Sequence, residues 1–268
     1  MKMFDSHVHS LFSGDSEMDL NAACTNSIEK GLEGIAFTDH LDIDYPNFDE
    51  KFLIDFDKYS TVMDDLKSQY SSRLNILKGI EVGLQPHVLD ATNEIVNKYD
   101  FDFVIASIHI IDCIDPYTGE YFKAYPDKNI AFTKYLNEIH HGVENFQNYD
   151  VIGHIGYIRR YCNYEDNSLK YDDYCDILDS ILKGVIEKGK GIEVNTSGYH
   201  TLGTPIPDLD IIKRYKELGG EIITTGSDAH APEHIAYNFS TIKKALSDIG
   251  FNYIAHFEKR KPVFTKIT

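Results

Sequence analysis

The chain is poor in positive charge, in cysteine and in long apolar runs, and each shortage removes a class of function. Among 268 residues, Lys and Arg number 26 against 43 Asp and Glu, a formal net charge of -17 at pH 7. Such a field repels phosphate backbones, so neither a nucleic-acid polymer nor an anionic membrane is an expected partner. The four cysteines, Cys24, Cys113, Cys162 and Cys175, are far apart and form no Cys-x-x-Cys. That spacing offers neither a disulfide framework nor a zinc finger, and it reads as reduced thiols in a cytoplasmic protein. No stretch approaches the ~18 apolar residues of a membrane helix, and the N-terminus meets charge at once, so no targeting segment is expected.

What is present suits a buried core. Hydrophobic residues make up 42% and charged residues 26%, proportions that do not indicate disorder. A chain of this length fits one α/β barrel domain, and no linker or low-complexity segment divides it.

Along the chain, apolar runs alternate with segments of helical spacing. Strands are expected at Met3 to Val8, Gly34 to Asp39, Asn75 to Val82, Phe101 to Ile108, Val151 to Gly153, Gly191 to Asn195 and Glu221 to Gly226. Helices are expected at Glu17 to Gly31, Phe52 to Tyr70, Pro86 to Tyr99, Asp127 to Gln147, Tyr171 to Lys188, Pro207 to Leu218 and Glu233 to Ile249. Residues 41 to 50, 110 to 126 and 196 to 206 read as loops, and Tyr253 to Ile267 as a terminal strand pair. Seven strands, each followed by a helix, imply a parallel sheet with both faces covered. Repeated right-handed crossovers close most easily into a distorted (β/α)7 TIM-like barrel, with an open doubly wound sheet as the competing architecture.

Residue types that bind metals fall where such a barrel would gather them. In Asp5-Ser6-His7-Val8-His9-Ser10 the strand period of two points His7 and His9 to one side. His40, His109, His154 and His230 lie at or just past other strand ends, as do Glu81 and Asp228. In a parallel barrel those ends share one face, where active sites are built. One strand-end histidine is ordinarily a rim residue, but eight titratable groups on one face need the compensation that divalent cations give. His87, His140, His141, His234 and His256 lie on helices or the terminal strands and read as surface or satisfied core residues. Ser197 and His200, in the loop after the sixth strand, are candidates to face the pocket. Arg159 and Arg160, just past His154, form a candidate phosphate clamp.

Taken together, Asp5 to Ser10, Thr38-Asp39-His40, Gly79-Ile80-Glu81, Ser107-Ile108-His109, Gly153-His154 and Gly226-Ser227-Asp228-Ala229-His230 resemble the polymerase-and-histidinol-phosphatase (PHP) family. With Phe12-Ser13-Gly14-Asp15-Ser16, they resemble its histidinol-phosphate phosphatase branch. The resemblance implies a seven-stranded barrel with about three divalent ions, zinc, manganese or iron. It places His7, His9, Glu81 and Asp228 around one, Glu81, His109 and His154 around a second, and Asp15, His40 and His230 around the third. It implies hydrolysis of L-histidinol phosphate to L-histidinol and phosphate, a step of histidine biosynthesis, through a metal-bridging hydroxide. Arg160, with Arg159 beside it as the second candidate, is then expected to hold the phosphate, with Asp228 or a histidine such as His230 passing a proton to the leaving group. The acidic loop Asp42, Asp44, Asp49 and Glu50 is the candidate for the cationic end of the substrate. Other readings are a phosphotyrosine-protein phosphatase or nucleotide phosphoesterase of the same family, an amidohydrolase, and a non-catalytic metal-binding domain.

Overall fold

In the computed structural model, residues 3–48 and 50–267 are described; Asp49 of the acidic loop lies outside them. The chain runs β1 (Phe4–Val8), α1 (Leu20–Glu29), β2 (Gly34–Phe37), β3 (His40–Leu41), α2 (Phe56–Tyr70), β4 (Asn75–Gly83), α3 (Leu89–Lys98) and β5 (Phe103–Ser107). It continues through α4 (Glu120–Ala124), α5 (Lys128–Asn145), β6 (Val151–Ile152), α6 (Cys175–Glu187), β7 (Gly191–Asn195), α7 (Gly198–Thr201), α8 (Leu209–Glu217), β8 (Ile223–Gly226), α9 (Phe239–Ile249), β9 (Tyr253–Glu258) and β10 (Lys261–Lys266).

The parallel order is β1-β2-β4-β5-β6-β7-β8. Its two ends meet where Val8 bridges Ala229, where His9 N–H donates to the Ala229 carbonyl at 3.0 Å, and where Asp228 N–H donates to the His7 carbonyl at 2.8 Å. The expected barrel is therefore nearly closed, and the open sheet is excluded.

Local sequence explains the helices that cover it. Asp19, Asp55 and Asp127 cap α1, α2 and α5 by accepting from backbone N–H groups three residues on. Helix α6 buries Leu178, Ile181, Leu182 and Val185, the i, i+3, i+4, i+7 stripe of a helix lying on a sheet.

Four segments differ from expectation. The second strand breaks after Phe37 and resumes as β3, which pairs His40 with Glu81 of β4. The break frees Asp39 to accept hydrogen bonds from Ser10 and Ser13. The segments at 110–126 and 196–206 contain the short helices α4 and α7, which local turn composition conceals. The helix expected from Glu233 starts at Phe239, after a 3-10 turn at Pro232–His234.

At the end where the strands begin, the antiparallel β9–β10 hairpin plugs the barrel. Phe257 packs with Phe4, Ala36, Leu77, Phe103, Ile105 and Val151, its ring centroid 5.2 Å from that of Phe103. Among the described residues, no helix is long and apolar enough to cross a membrane.

Candidate functional site

At the opposite end, loop geometry is set by buried carboxylates. Asp5 accepts from Ser227 N–H at 2.8 Å, Ser227 Oγ at 2.5 Å and Ala236 N–H at 2.8 Å, tying the end of β8 to β1. Asp39 accepts from Ser10 N–H and Oγ and from Ser13 Oγ, fixing the turn after β1. Asp228 adopts the left-handed φ of 55° just past β8 and turns its carboxylate toward β1.

These constraints bring all nine metal-ligand candidates together. Glu81 is central: its Oε2 lies 3.0 Å from His40 Nδ1 and 3.2 Å from His7 Nε2, and its Oε1 lies 2.8 Å from His154 Nε2 and 3.3 Å from His109 Nε2. His9 Nε2 lies 3.0 Å from His7 Nε2 and 3.2 Å from Asp228 Oδ1. Asp15 Oδ2 lies 3.5 Å from His40 Nε2 and 3.4 Å from His230 Nε2 at the rim. The ligand atoms form overlapping groups: His7, His9 and Glu81; Glu81, His109 and His154; His9, Asp15, His40 and His230; and His40, Asp42 and His109, each within 4.8 Å of one another.

The donor set fits divalent cations. Two imidazole nitrogens 3.0 Å apart with a carboxylate between them satisfy a cation better than each other. Among the described residues, Glu81 Oε2 is buried and has no hydrogen-bond partner, an arrangement that is costly unless something positive occupies the position. Burial pushes the Glu81 carboxyl up, but His7, His109 and His40 outweigh it and hold the group well below the usual carboxylate range. Asp228 is likewise held well below that range against its burial, by Arg160 and His7. Burial opposes a charged His7 ring, yet Glu193, Glu81 and Asp228 raise it well above an ordinary imidazole. His109, also buried, is raised to about 9 by Asp42 and Glu81, while burial and the neighbouring His230 and His40 lower His9 to about 3. Without a cation, protonated imidazoles thus supply the counter-charge.

Arg160 and Arg159 part company. They occupy a 3-10 turn, Tyr157–Arg160, in which adjacent side chains diverge. Arg160 lines the cavity, pairs with Asp228 Oδ2 at 2.7 Å, donates to Asn195 Oδ1 at 3.3 Å and to Ser197 Oγ, and lies over the Tyr157 ring. Arg159 is buried elsewhere, with Nη1 2.6 Å from Asp208 and Nε donating to the Asn167 carbonyl at 2.8 Å. The structure therefore gives Arg159 a packing role in place of a phosphate contact.

Other candidates are also relocated. Asp42 lines the cavity but is 3% exposed, and it accepts from the His109 ring at 2.9 Å, which orients that ring; burial raises its pKa, but His109 prevails and lowers it to about 2. Its carboxylate lies over Gly83, where an added Cβ would meet Oδ1 at 1.7 Å. Asp44 is turned to His87 at 2.7 Å. His200 stacks on Tyr237, with centroids 3.7 Å apart, and does not line the cavity; Ser197 reaches it only through Arg160. His256 is a buried residue stacked on Phe4.

Sequence reasoning missed Glu193, whose Oε1 is 2.6 Å from His7 Nδ1, and the aromatic lining formed by Tyr45, Phe52, Tyr157 and Tyr161. A signal for Glu193 existed: β7 alternates Ile192 and Val194 with Glu193 and Asn195, which sets two polar groups on one side of a buried strand. The cavity holds about 110 Å³, with the ligand cluster at its floor.

The PHP domain model matches residues 5–197. The chain is 34% identical over 258 residues to a probable histidinol-phosphatase of Clostridium acetobutylicum, covering 96% of this chain and 98% of that one. It is 33% identical over 261 residues to the histidinol-phosphatase of Lactococcus lactis, covering 97% and 96%. It is also similar to the crystal structure of the histidinol phosphate phosphatase from Lactococcus lactis complexed with zinc, L-histidinol and phosphate. That match has a TM-score of 0.90 and 32% identity, and covers 98% of this chain and 99% of that chain.

Proposed function

The chain belongs to the PHP domain family, and from that premise we propose that it is a metal-dependent phosphatase hydrolysing L-histidinol phosphate to L-histidinol and phosphate. The observation that carries the reading is one cavity that joins the His/carboxylate cluster to a guanidinium. The relatives named histidinol-phosphatase, and the similar structure holding L-histidinol and phosphate, support the substrate.

In this reading His7, His9, Glu81 and Asp228 hold one cation, Glu81, His109 and His154 a second, and Asp15, His40 and His230 a third. Zinc, manganese and iron all suit imidazole, and Asp15 adds a hard oxygen at the rim. Charge supports three. Asp15, Asp42, Glu81, Glu193 and Asp228 bring five negative charges to the site against the one positive charge of Arg160. Three divalent ions turn that excess of four into a surplus of two, matching a phosphate monoester dianion. When bound, the ions supply Lewis acidity to the phosphoryl oxygens and make water nucleophilic near neutral pH.

The chain's own groups complete the chemistry. The Arg160 guanidinium has five N–H donors, and with Asp228, Asn195 and Ser197 fixing its orientation it offers charge-assisted bonds to a phosphoryl oxygen. As a water oxygen adds in line to phosphorus, the P–O ester bond breaks. Asp228, between Arg160 and His9, is placed to accept the water proton. His230 is half-buried at the rim, where the leaving alkoxide must take one up. Tyr45, Phe52, Tyr157 and Tyr161 give the organic part of the substrate an aromatic wall. The small-molecule reading needs no nucleic-acid or membrane partner, and the free cysteines suit a cytoplasmic setting.

The test is phosphate release by the metal-loaded protein from histidinol phosphate, a phosphotyrosine peptide and nucleotides. The proposal expects kcat/KM on histidinol phosphate to exceed the others by orders of magnitude. A higher value on the peptide or a nucleotide would assign the site to that substrate.

A further inference from the structure

We infer that Glu193 is a positioning residue: its carboxylate fixes His7 in the ring form that carries its proton on Nδ1 and presents the Nε2 lone pair to the cluster. The inference rests on the reading of that cluster as a metal centre. Glu193 is 1% exposed, and its two oxygens are divided between two strands. Oε1 lies 2.6 Å from His7 Nδ1, and Oε2 accepts the backbone N–H of His154 at 2.8 Å. Asn195 Nδ2 adds a bond to Oε2 at 3.3 Å. One side chain thus holds a ring from one ligand group and the backbone of a residue from the next.

The fold makes room for this contact. A Cβ on Gly226 would lie 2.3 Å from His7 Cβ and 2.5 Å from Glu193 Oε1, so only glycine allows β8 to pass this closely. Hydrogen-bond accounting then shows why a carboxylate is required. The His154 N–H is an obligate donor, and His7 must also donate from Nδ1 if Nε2 is to ligate; a carboxylate accepts from both. A glutamine has one acceptor and one donor end. If its oxygen meets His154 N–H, its NH₂ faces His7 Nδ1 and drives the ring proton to Nε2. If it is turned the other way, two donors oppose each other in a buried site.

The experiment compares wild type with Glu193→Gln and Glu193→Asp, each stripped and reloaded with zinc. Zinc affinity is read by competition with a chromophoric chelator. The His7 ring form is read from long-range ¹H–¹⁵N spectra, assigned with His7→Gln. Thermal melts of the stripped proteins monitor the fold. The expected result is a wild-type His7 protonated at Nδ1, a loss of roughly 10 to 100-fold in zinc affinity for Glu193→Gln, and partial recovery in Glu193→Asp. Wild-type zinc affinity in Glu193→Gln with an unchanged His7 signal would overturn the proposal. If Glu193→Gln fails to fold, the wild-type spectrum still decides, because a His7 ring protonated at Nε2 in the zinc-loaded protein also overturns it. A wild-type chain that takes up no zinc, manganese or iron would overturn the metal reading itself, which is a distinguishable outcome.

Discussion

The two ends of the barrel are built from the same strands and have opposite chemistry. At one end β1 contributes Phe4, β4 Leu77, β5 Phe103 and β6 Val151 to a dry cluster closed by Phe257. Three to six residues further along, the same strands and the turns after them carry His7 and His9, Glu81, His109 and His154. Parallel strands impose this polarity, because every strand start shares one face and every strand end the other. The apolar end secures the barrel by burial, and the opposite end holds a buried cluster of carboxylates whose counter-charge, without metal, comes from protonated imidazoles and Arg160. Loss of turnover should therefore be confined to mutations at the charged end, whereas mutations at either end cost stability.

The largest expected effect lies at the charged end. Glu81→Gln and Asp228→Asn keep their shape but each removes a negative charge from the cluster, and kcat on histidinol phosphate should fall on the order of 10³-fold. Melting temperatures of the metal-free variants should fall, since His7, His109, His40 and Arg160 hold these carboxylates ionised and each substitution leaves those positive groups short of a partner. Near-normal turnover in both would erase the functional distinction between the two ends.

Phe257→Ala is the reciprocal experiment. Removing the plug from the dry cluster should cost about 3 to 5 kcal/mol of stability in denaturant unfolding, while kcat of the folded enzyme stays at the wild-type value. A large loss of kcat at full folding would mean that the ends are coupled.

Within the charged end, Arg160→Ala should lower kcat/KM roughly tenfold to a few hundredfold, because a charge-assisted bond to phosphate is worth on the order of 1.5 to 3 kcal/mol. Lysine should rescue only part of this, lacking the planar fork. The smallest effect on catalysis is expected for Arg159→Ala. It breaks the pair with Asp208 and should cost about 1 to 3 kcal/mol of stability with kcat/KM unchanged. An activity loss in Arg159→Ala matching that in Arg160→Ala would refute the division of labour between the two arginines.

The barrel and the ligand cluster were legible because both follow from strand period and strand polarity. His7 and His9 share a side by alternation, and His40, Glu81, His109, His154 and Asp228 needed only their place at strand ends. What was not legible depends on tertiary partners. Nothing in Arg159-Arg160 says which side chain meets the cavity; the position of Asp208, 48 residues after Arg160, decides it. Asp42 follows His40 in an acidic loop and reads as solvated until Gly83 is seen to leave room for it beside His109. Glu193 was visible as an acidic residue in a buried strand, but its partner His7 is 186 residues away. The split between β2 and β3 was concealed because the Thr38-Asp39 break serves the turn after β1 and not the sheet.

The central claim is that this buried charge cluster works only when cations fill it. The most direct test titrates zinc, manganese or iron into stripped protein while measuring bound metal per chain and phosphate release from histidinol phosphate. The account predicts no release from the stripped chain and a plateau at about three ions per chain. Full release with no bound metal, or a plateau reached at a single ion, would contradict it.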